Sequence, residues 1–547
     1  MLRRETAMEY ATLLSDGVRG TGLLDGQVES VLASMPLRVE GRVVSLSGLT
    51  VAAADLPLPV GALCRIHPRA SGVGGVGGVG GGSAGGGGRG TRGGRSEEGA
   101  LPSMWPGGSR GGGVLAEVVG FEPAGGGAGG TASGLGRTLL MPLTPAAGVA
   151  PGDRVESVSA TPRVWCSPEL LGRVLNGLGE PIDGRGPLGL GTARRIDGRG
   201  VAALARAPID RPIGTSVRAI DALHTCGLGQ RMGIFSGPGV GKSTLLAQIA
   251  RHTSADVSVI ALVGERGREV LDFVHETLGP EGLRRCVVVV ATSDDPPLLR
   301  MRAAKVACTV AEYFRDAGRD VLLLMDSLTR LAQAQRQIGL AAGEPPTVRG
   351  YPPSVFAMLP ELLERAGRTP VGSITGFYTV LMDGDDFNEP IADAVKGITD
   401  GHLLLSRALA SRGHFPAIDV NLSISRVRGD VAPAEQVKMA IKVLGLCAVW
   451  NDIADLVNLG AYQKGASLEY DLAVESREPI LRFLRQEAGS PVALAESQRQ
   501  LGELYQWICN LEQSLRTAGG RRAGGGLPPS PGGPAGGGGR VAEGGRR

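Results

Sequence analysis

The stretch Ser236–Thr244, SGPGVGKST, ends in Gly241-Lys242-Ser243, the residues that close a phosphate-binding loop. Gly239 and Gly241 let backbone come close to phosphate, and amides opening the next helix point at an anion. Pro238 has no N–H, so the cradle draws on amides from Gly239 to Ser243. The nucleotide-binding set is therefore Gly237, Pro238, Gly239, Val240, Gly241, Lys242, Ser243 and Thr244. Lys242 would neutralise the β- and γ-phosphates, and the Ser243 hydroxyl suits Mg²⁺. The pattern asks for glycine where Ser236 stands, but that position precedes the donors and tolerates a small residue. Asp326 ends the apolar run VLLLMD, where a carboxylate holds Mg²⁺ through its water shell. Glu265 ends VSVIALVGE, a place from which a carboxylate can orient a water for in-line attack on the γ-phosphate. The cofactors expected are ATP and Mg²⁺.

These residues need elements to hold them. RMGIF before the loop and TLLAQIARHT after it give the strand–loop–helix setting that a phosphate loop requires. Further apolar runs (VSVIALVG, CVVVVAT, VLLLMD, SITGFYTVL and GHLLLS) alternate with helical stretches, which predicts an α/β core with a parallel sheet buried on both faces. Ligands bind such sheets beyond the carboxyl ends of the strands, where Lys242, Glu265 and Asp326 all fall. Before the core, short alternating segments at 37–67, 114–121, 138–143 and 153–160 predict a small β-barrel. After it, AEQVKMAIKVLGLCAVWNDIADLVNLG carries a helical period, so the C-terminal domain is expected to be helical. The organisation expected is an N-terminal segment 1–25, a barrel 26–160, an ATPase domain 161–432, a helical domain 433–516 and a tail 517–547.

The chain has 547 residues, 88 of them glycine, and the glycines cluster at 71–113, 124–136 and 518–547. Such segments bury too little apolar surface to offset chain entropy and are read as flexible loops and a disordered tail. A net charge of +3 argues for neither nucleic acid nor a membrane surface as partner. Seven scattered cysteines without a C-x-x-C pair exclude a zinc ribbon and a disulfide framework, and fit a reducing cytosol. No apolar run approaches the roughly 20 residues of a membrane span, and MLRRETAMEY lacks the apolar core of a secretory signal.

The segments GPGVGKST, ALVGERGREV, LLLMDSLTRLAQAQRQIGLAAGEPP, RGYPPSVFAMLPELLERAG, GSITGFYTVLMDGDDFNEPIAD and HFPAIDVNLSISR, in this order, resemble the flagellum-specific export ATPases. These are the flagellar branch of the type III secretion ATPases, and are similar to the F1 ATP synthase β subunit. The resemblance is dense from about 160 to 430, fair in the barrel and helical domain, and absent from the glycine blocks and tail. It implies a RecA-like P-loop NTPase core and an ATP-hydrolysing hexamer that energises type III protein export. It also implies that small residues other than glycine are accepted at Ser236. Arg266 and Glu269 follow Glu265 in the family's GERGRE segment, and Arg330 links the Asp326 strand to the γ-phosphate region. Phe415 matches the aromatic that stacks on adenine, and Arg426 the arginine finger given to the neighbouring subunit. The loop DGDDFNEP, 383–390, matches the part facing a central stalk protein, and MDGDDFNEPIAD favours the flagellar branch. Partners implied are a stator-type regulator at the N-terminus, the export-gate membrane complex, export chaperones and cargo, at the cytoplasmic face of the cell membrane. Alternatives are a non-flagellar type III ATPase and a catalytic rotary ATP synthase subunit. A ring helicase is disfavoured, since the barrel sequence lacks an aromatic platform for stacking bases. A non-catalytic ring subunit would carry glutamine in place of Glu265.

Overall fold

The computed structural model describes residues 39–69, 113–122, 136–189, 191–382 and 389–523. The segment 1–25, the glycine blocks apart from Gly113 and Gly136, residues 383–388 of the loop expected to face a stalk, and the tail after Ala523 lie outside the described residues.

The expected barrel is present and closed. Its strands are β1 (Glu40–Ser47), β2 (Thr50–Ala54), β3 (Leu63–His67), β4 (Val114–Glu122), β5 (Arg137–Pro142) and β6 (Arg154–Ser159), in the order β1-β2-β5-β4-β3-β6. Alternation turns Val43, Val51, Ile66, Val118, Leu140 and Val155 inward to fill it. One buried ion pair ties the barrel to the core, with Arg302 Nη1 2.8 Å from Glu117 Oε2 on β4. Removing one partner of such a pair strands the other charge in a dry site. Glu117→Leu is therefore expected to lower stability by about 3–5 kcal/mol, read as a fall in the urea midpoint.

The core sheet explains how the site is assembled. Its strands are β7 (Val174–Asn176), β8 (Arg231–Ser236), β9 (Val257–Glu265), β10 (Cys286–Thr292), β11 (Asp320–Asp326), β12 (Ser373–Leu381), β13 (Gly401–Leu405) and β14 (Ile418–Ser425). They lie in the order β14-β13-β8-β12-β11-β9-β10-β7. Every neighbouring pair in that order is parallel except β13 with β14, which is antiparallel. A ninth, two-residue strand, Gly367–Arg368, pairs antiparallel with β12 off this path. Val259, Ile260, Ala261, Val263 and their equivalents on β10 and β11 are all but inaccessible, as a sheet covered on both faces requires. Helices α1 (Arg218–Leu223), α2 (Lys242–His252), α3 (Pro297–Asp316) and α4 (Leu328–Ala341) belong to this layer. Two strands differ from expectation. β7 is three residues long and too short to show a period, and β14 alternates buried and exposed residues because it closes the sheet edge.

The C-terminal helices are α5 (Ala434–Asn458), α6 (Leu468–Leu484) and α7 (Leu494–Ala523). The last runs past residue 516, where the tail was expected to begin. Propagating a formed helix adds one bond per residue fixed, and Arg516 supports it with an ion pair to Glu512 one turn earlier, 2.6 Å apart. Among the described residues all seven cysteines are free thiols, and six are buried. Burial pushes Cys64 and Cys166 up to about 12. No helix among the described residues is long and apolar enough to cross a membrane.

Candidate active site

The phosphate loop leaves β8 at Ser236, a buried residue whose carbonyl accepts from Met382 N–H at 3.0 Å. Gly239 and Gly241 then adopt φ of +77° and +85°, which a side chain would strain. Gly241 caps α2, so the free amides of that helix face the loop. Lys242, the first residue of α2, makes an ion pair with Asp326 Oδ1, and its Nζ stands 3.8 Å from Glu265 Oε1. The sheet order sets β12 between β8 and β11, and from it Thr379 donates its hydroxyl to Asp326 Oδ1 at 2.7 Å. Thr379 had no motif to announce it.

Glu265 closes β9 just after a register shift at Gly264, whose φ is +72°. A Cβ at Gly264 would stand 3.0 Å from Arg330 Cβ, so the glycine admits Arg330 beside the strand end. There the guanidinium donates to Gly264 O and lies 3.2 Å from Glu265 Oε2. Glu265 Oε1 is buried and has no hydrogen-bond partner, which leaves one carboxylate oxygen open as an acceptor. Burial, a hydrogen bond shared with Glu269 and the charge of Asp326 raise the Glu265 carboxyl to about 7, against the pull of Lys242 and Arg330. Arg266 is set apart. Its side chain is 76% exposed and pairs with Glu269 at 3.2 Å, at the rim of the site.

A base must be ionised, so kcat/KM is expected to fall as pH drops through about 7, with unit slope. Glu269→Gln removes a carboxylate that raises Glu265, and should move this limb to lower pH. A flat profile between about pH 5.5 and 8 would exclude Glu265 as the base.

Beyond the loop opens a pocket of about 860 Å³ bounded by Gly239–Gly241, Gln248 and Phe415. The Phe415 ring lies 3.5 Å from where a Gly241 Cβ would stand, and the residue is 44% exposed. An aromatic face left open beside a phosphate loop is suited to stacking a base. Arg482, Arg485 and Gln486 complete the wall from the helical domain. Arg426 lies elsewhere. It follows β14, and its N–H donates to Asp400 O at 2.9 Å, while Asp400 pairs with Arg231 at the start of β8. The phosphate loop is at the other end of that six-residue strand, about 20 Å away at the rise of a strand. The Arg426 side chain is exposed and makes no ion pair or hydrogen bond among the described residues.

No group of three or more His, Cys, Asp or Glu able to hold a metal occurs among the described residues. The candidate donors are the Ser243 hydroxyl, exposed in the first turn of α2, and the Asp326 carboxylate, which Lys242 pairs with. Few hard oxygen donors beside a phosphate site fit Mg²⁺, which keeps most of its waters and phosphate ligands.

The ATP synthase alpha/beta family, nucleotide-binding domain, matches residues 216–425, and the T3SS EscN ATPase C-terminal domain matches 432–503. The flagellum-specific ATP synthase of Bacillus subtilis (strain 168) is 49% identical over 403 residues, covering 74% of this chain and 89% of that protein. The type 3 secretion system ATPase of Xanthomonas euvesicatoria is 42% identical over 467 residues, covering 85% and 94%. Among solved structures, the assembled ATPase EscN of the enteropathogenic E. coli type III secretion system superposes with a TM-score of 0.71 at 37% identity. That match covers 85% of this chain and all of EscN. The phosphate loop, the carboxylates at the strand ends and the barrel–sheet–helix order agree with these likenesses over most of the chain. The chain belongs to the family of flagellar and type III secretion ATPases, enzymes that hydrolyse ATP to energise protein export.

Proposed function

We propose that the chain works as a homohexameric ring ATPase of flagellar export, with each site completed by the neighbouring subunit. The observation that carries this is the placement of Arg426, exposed and about 20 Å from the phosphate loop of its own chain. ATP enters with its base against Phe415 and its phosphates over the amides from Gly239 to Ser243. Lys242 exchanges the Asp326 carboxylate for phosphate oxygens. Ser243 and Asp326 would hold Mg²⁺, which when bound offsets phosphate charge. Glu265 accepts a hydrogen bond from the attacking water through Oε1 and aligns it with the γ-phosphorus. Arg330 holds Oε2 and stabilises negative charge beside it. Arg426 of a neighbouring subunit meets the charge that develops in the transition state.

Further support comes from the solved relative, described as assembled and also in complex with its central stalk EscO. A central stalk protein is accordingly a partner, with a stator-type regulator at segment 1–25 and the export gate, chaperones and cargo beyond. The ring works on the cytoplasmic face of the membrane. MDGDDFNEPIAD favours the flagellar branch over other type III systems. Two measurements test this. ATP turnover per chain should rise steeply with protein concentration as rings form. Cells depleted of the chain should lose export of flagellar hook and filament proteins, whereas retained flagellar export with lost effector secretion would assign it to an injection system.

A further inference from the structure

Among the residues that the helical domain brings to the nucleotide pocket, one is tied to both of the other walls. Gln486, in the link between α6 and α7, is only 7% exposed. Its Oε1 accepts from Arg218 N–H at 2.9 Å, at the start of α1. Its Nε2 donates to Ser216 O at 2.8 Å and to Ser490 O at 2.7 Å. Its backbone N–H donates to Phe415 O at 2.9 Å. Ser216 has a left-handed backbone, φ +64°, which a serine holds only where surrounding bonds fix it. The same Ser216 carbonyl also accepts from Gln248 Nε2 at 3.3 Å, and Gln248 lies on α2 in the pocket wall. Both walls of the base pocket, the one carrying Phe415 and the one carrying Gln248, thus meet on Gln486.

We infer that Gln486 is a positioning residue for base recognition, fixing the gap between Phe415 and α2 in which the adenine of ATP stacks. This rests on the ATPase reading above. The amide spends both its N–H groups and one lone pair of its oxygen on backbone, so no donor is left over for the ligand. Its influence therefore passes through the placement of Phe415 and Gln248. The phosphate loop hangs from β8 and α2 and makes no hydrogen bond with Gln486 among the described residues, so phosphate affinity is separable from base affinity.

The test compares a ligand with a base to one without. Gln486→Leu keeps much of the volume and loses the amide bonds. It is expected to raise the KM for ATP about tenfold, with kcat falling less than threefold. The inhibition constant of inorganic tripolyphosphate, which has no base to stack, should stay within twofold. In a Phe415→Ala background the same change should add less than twofold to KM, since the ring that Gln486 positions is gone. Should Gln486→Leu fail to fold, Gln486→Glu keeps the length and the acceptor for Arg218 but loses the donors to Ser216 and Ser490, and carries the same expectation. A KM for ATP within twofold of the parent overturns the inference, and so does a parallel rise for tripolyphosphate. Turnover by the parent chain tests the ATPase reading by itself. If the parent does not turn over, calorimetric binding of ADP and tripolyphosphate to parent and variant decides the inference by the same ratio.

Discussion

Arg426→Ala is expected to assemble and bind ATP like the parent and to turn over about 10³–10⁵-fold more slowly. A cation that meets charge only as it develops lowers the barrier by roughly 4–7 kcal/mol and adds little to ground-state binding. The position of Arg426 makes the geometry definite. Its backbone shares Asp400 with the start of β8, and the phosphate loop leaves the far end of that strand. No rotamer spans that distance, so in the proposed ring the effect on rate is expected at the site of a neighbouring subunit. Mixing the variant with Glu265→Gln gives the decisive measurement, because some interfaces then pair an intact Glu265 with an intact Arg426. Partial recovery of turnover in mixtures is the expected result. A dilute monomer as active per chain as the ring would remove both the finger and the ring from the mechanism.

Glu265→Gln should retain ATP affinity and lose about 10²–10⁴-fold in turnover. The amide keeps the shape and an oxygen but cannot polarise the water. Stability should move the other way. The folded chain raises the Glu265 carboxyl from the ordinary carboxylate range to about 7, so the fold disfavours its charged form. The sign follows from linkage: ionising Glu265 weakens the fold progressively as pH rises from about 4.5 to 7. The neutral glutamine removes this term, and at pH 8 the variant should melt no lower than the parent. A catalytic group held against its ionisation preference is the usual form of a stability–activity trade. Turnover within threefold of the parent would dismiss Glu265 as the base.

The parts of this molecule that could be read from sequence are those whose signal is local. Runs such as CVVVVAT and VLLLMD announce strands because both sheet faces are covered and every residue but the last is apolar. Lys242, Glu265 and Asp326 are legible since each sits at the end of such a run or in a fixed loop pattern. Phe415, Arg330 and Arg426 have no spacing of their own and came only through resemblance to a family. Thr379 and Gln486 escaped both routes. Thr379 reaches Asp326 because β12 separates β8 from β11, a fact of strand order and not of either sequence. Gln486 is 71 residues from Phe415 and lies in the non-helical link between α6 and α7, whose composition resembles any other. Arg266 shows the reverse: a motif position that the fold turns outward to pair with Glu269.

The same strand order has a consequence for how the protein is made. β8, which carries the phosphate loop, is flanked by β12 and β13, and Arg231 pairs with Gly376 about 145 residues downstream. A ribosome adding about 5–20 residues per second needs roughly 7–30 s to supply that partner. For that interval the nascent loop has no sheet to hang from, and neither Thr379 nor Phe415 has yet been made. The complete pocket can therefore form only after Phe415 has left the ribosome, so nucleotide binding is expected to be a late event in synthesis.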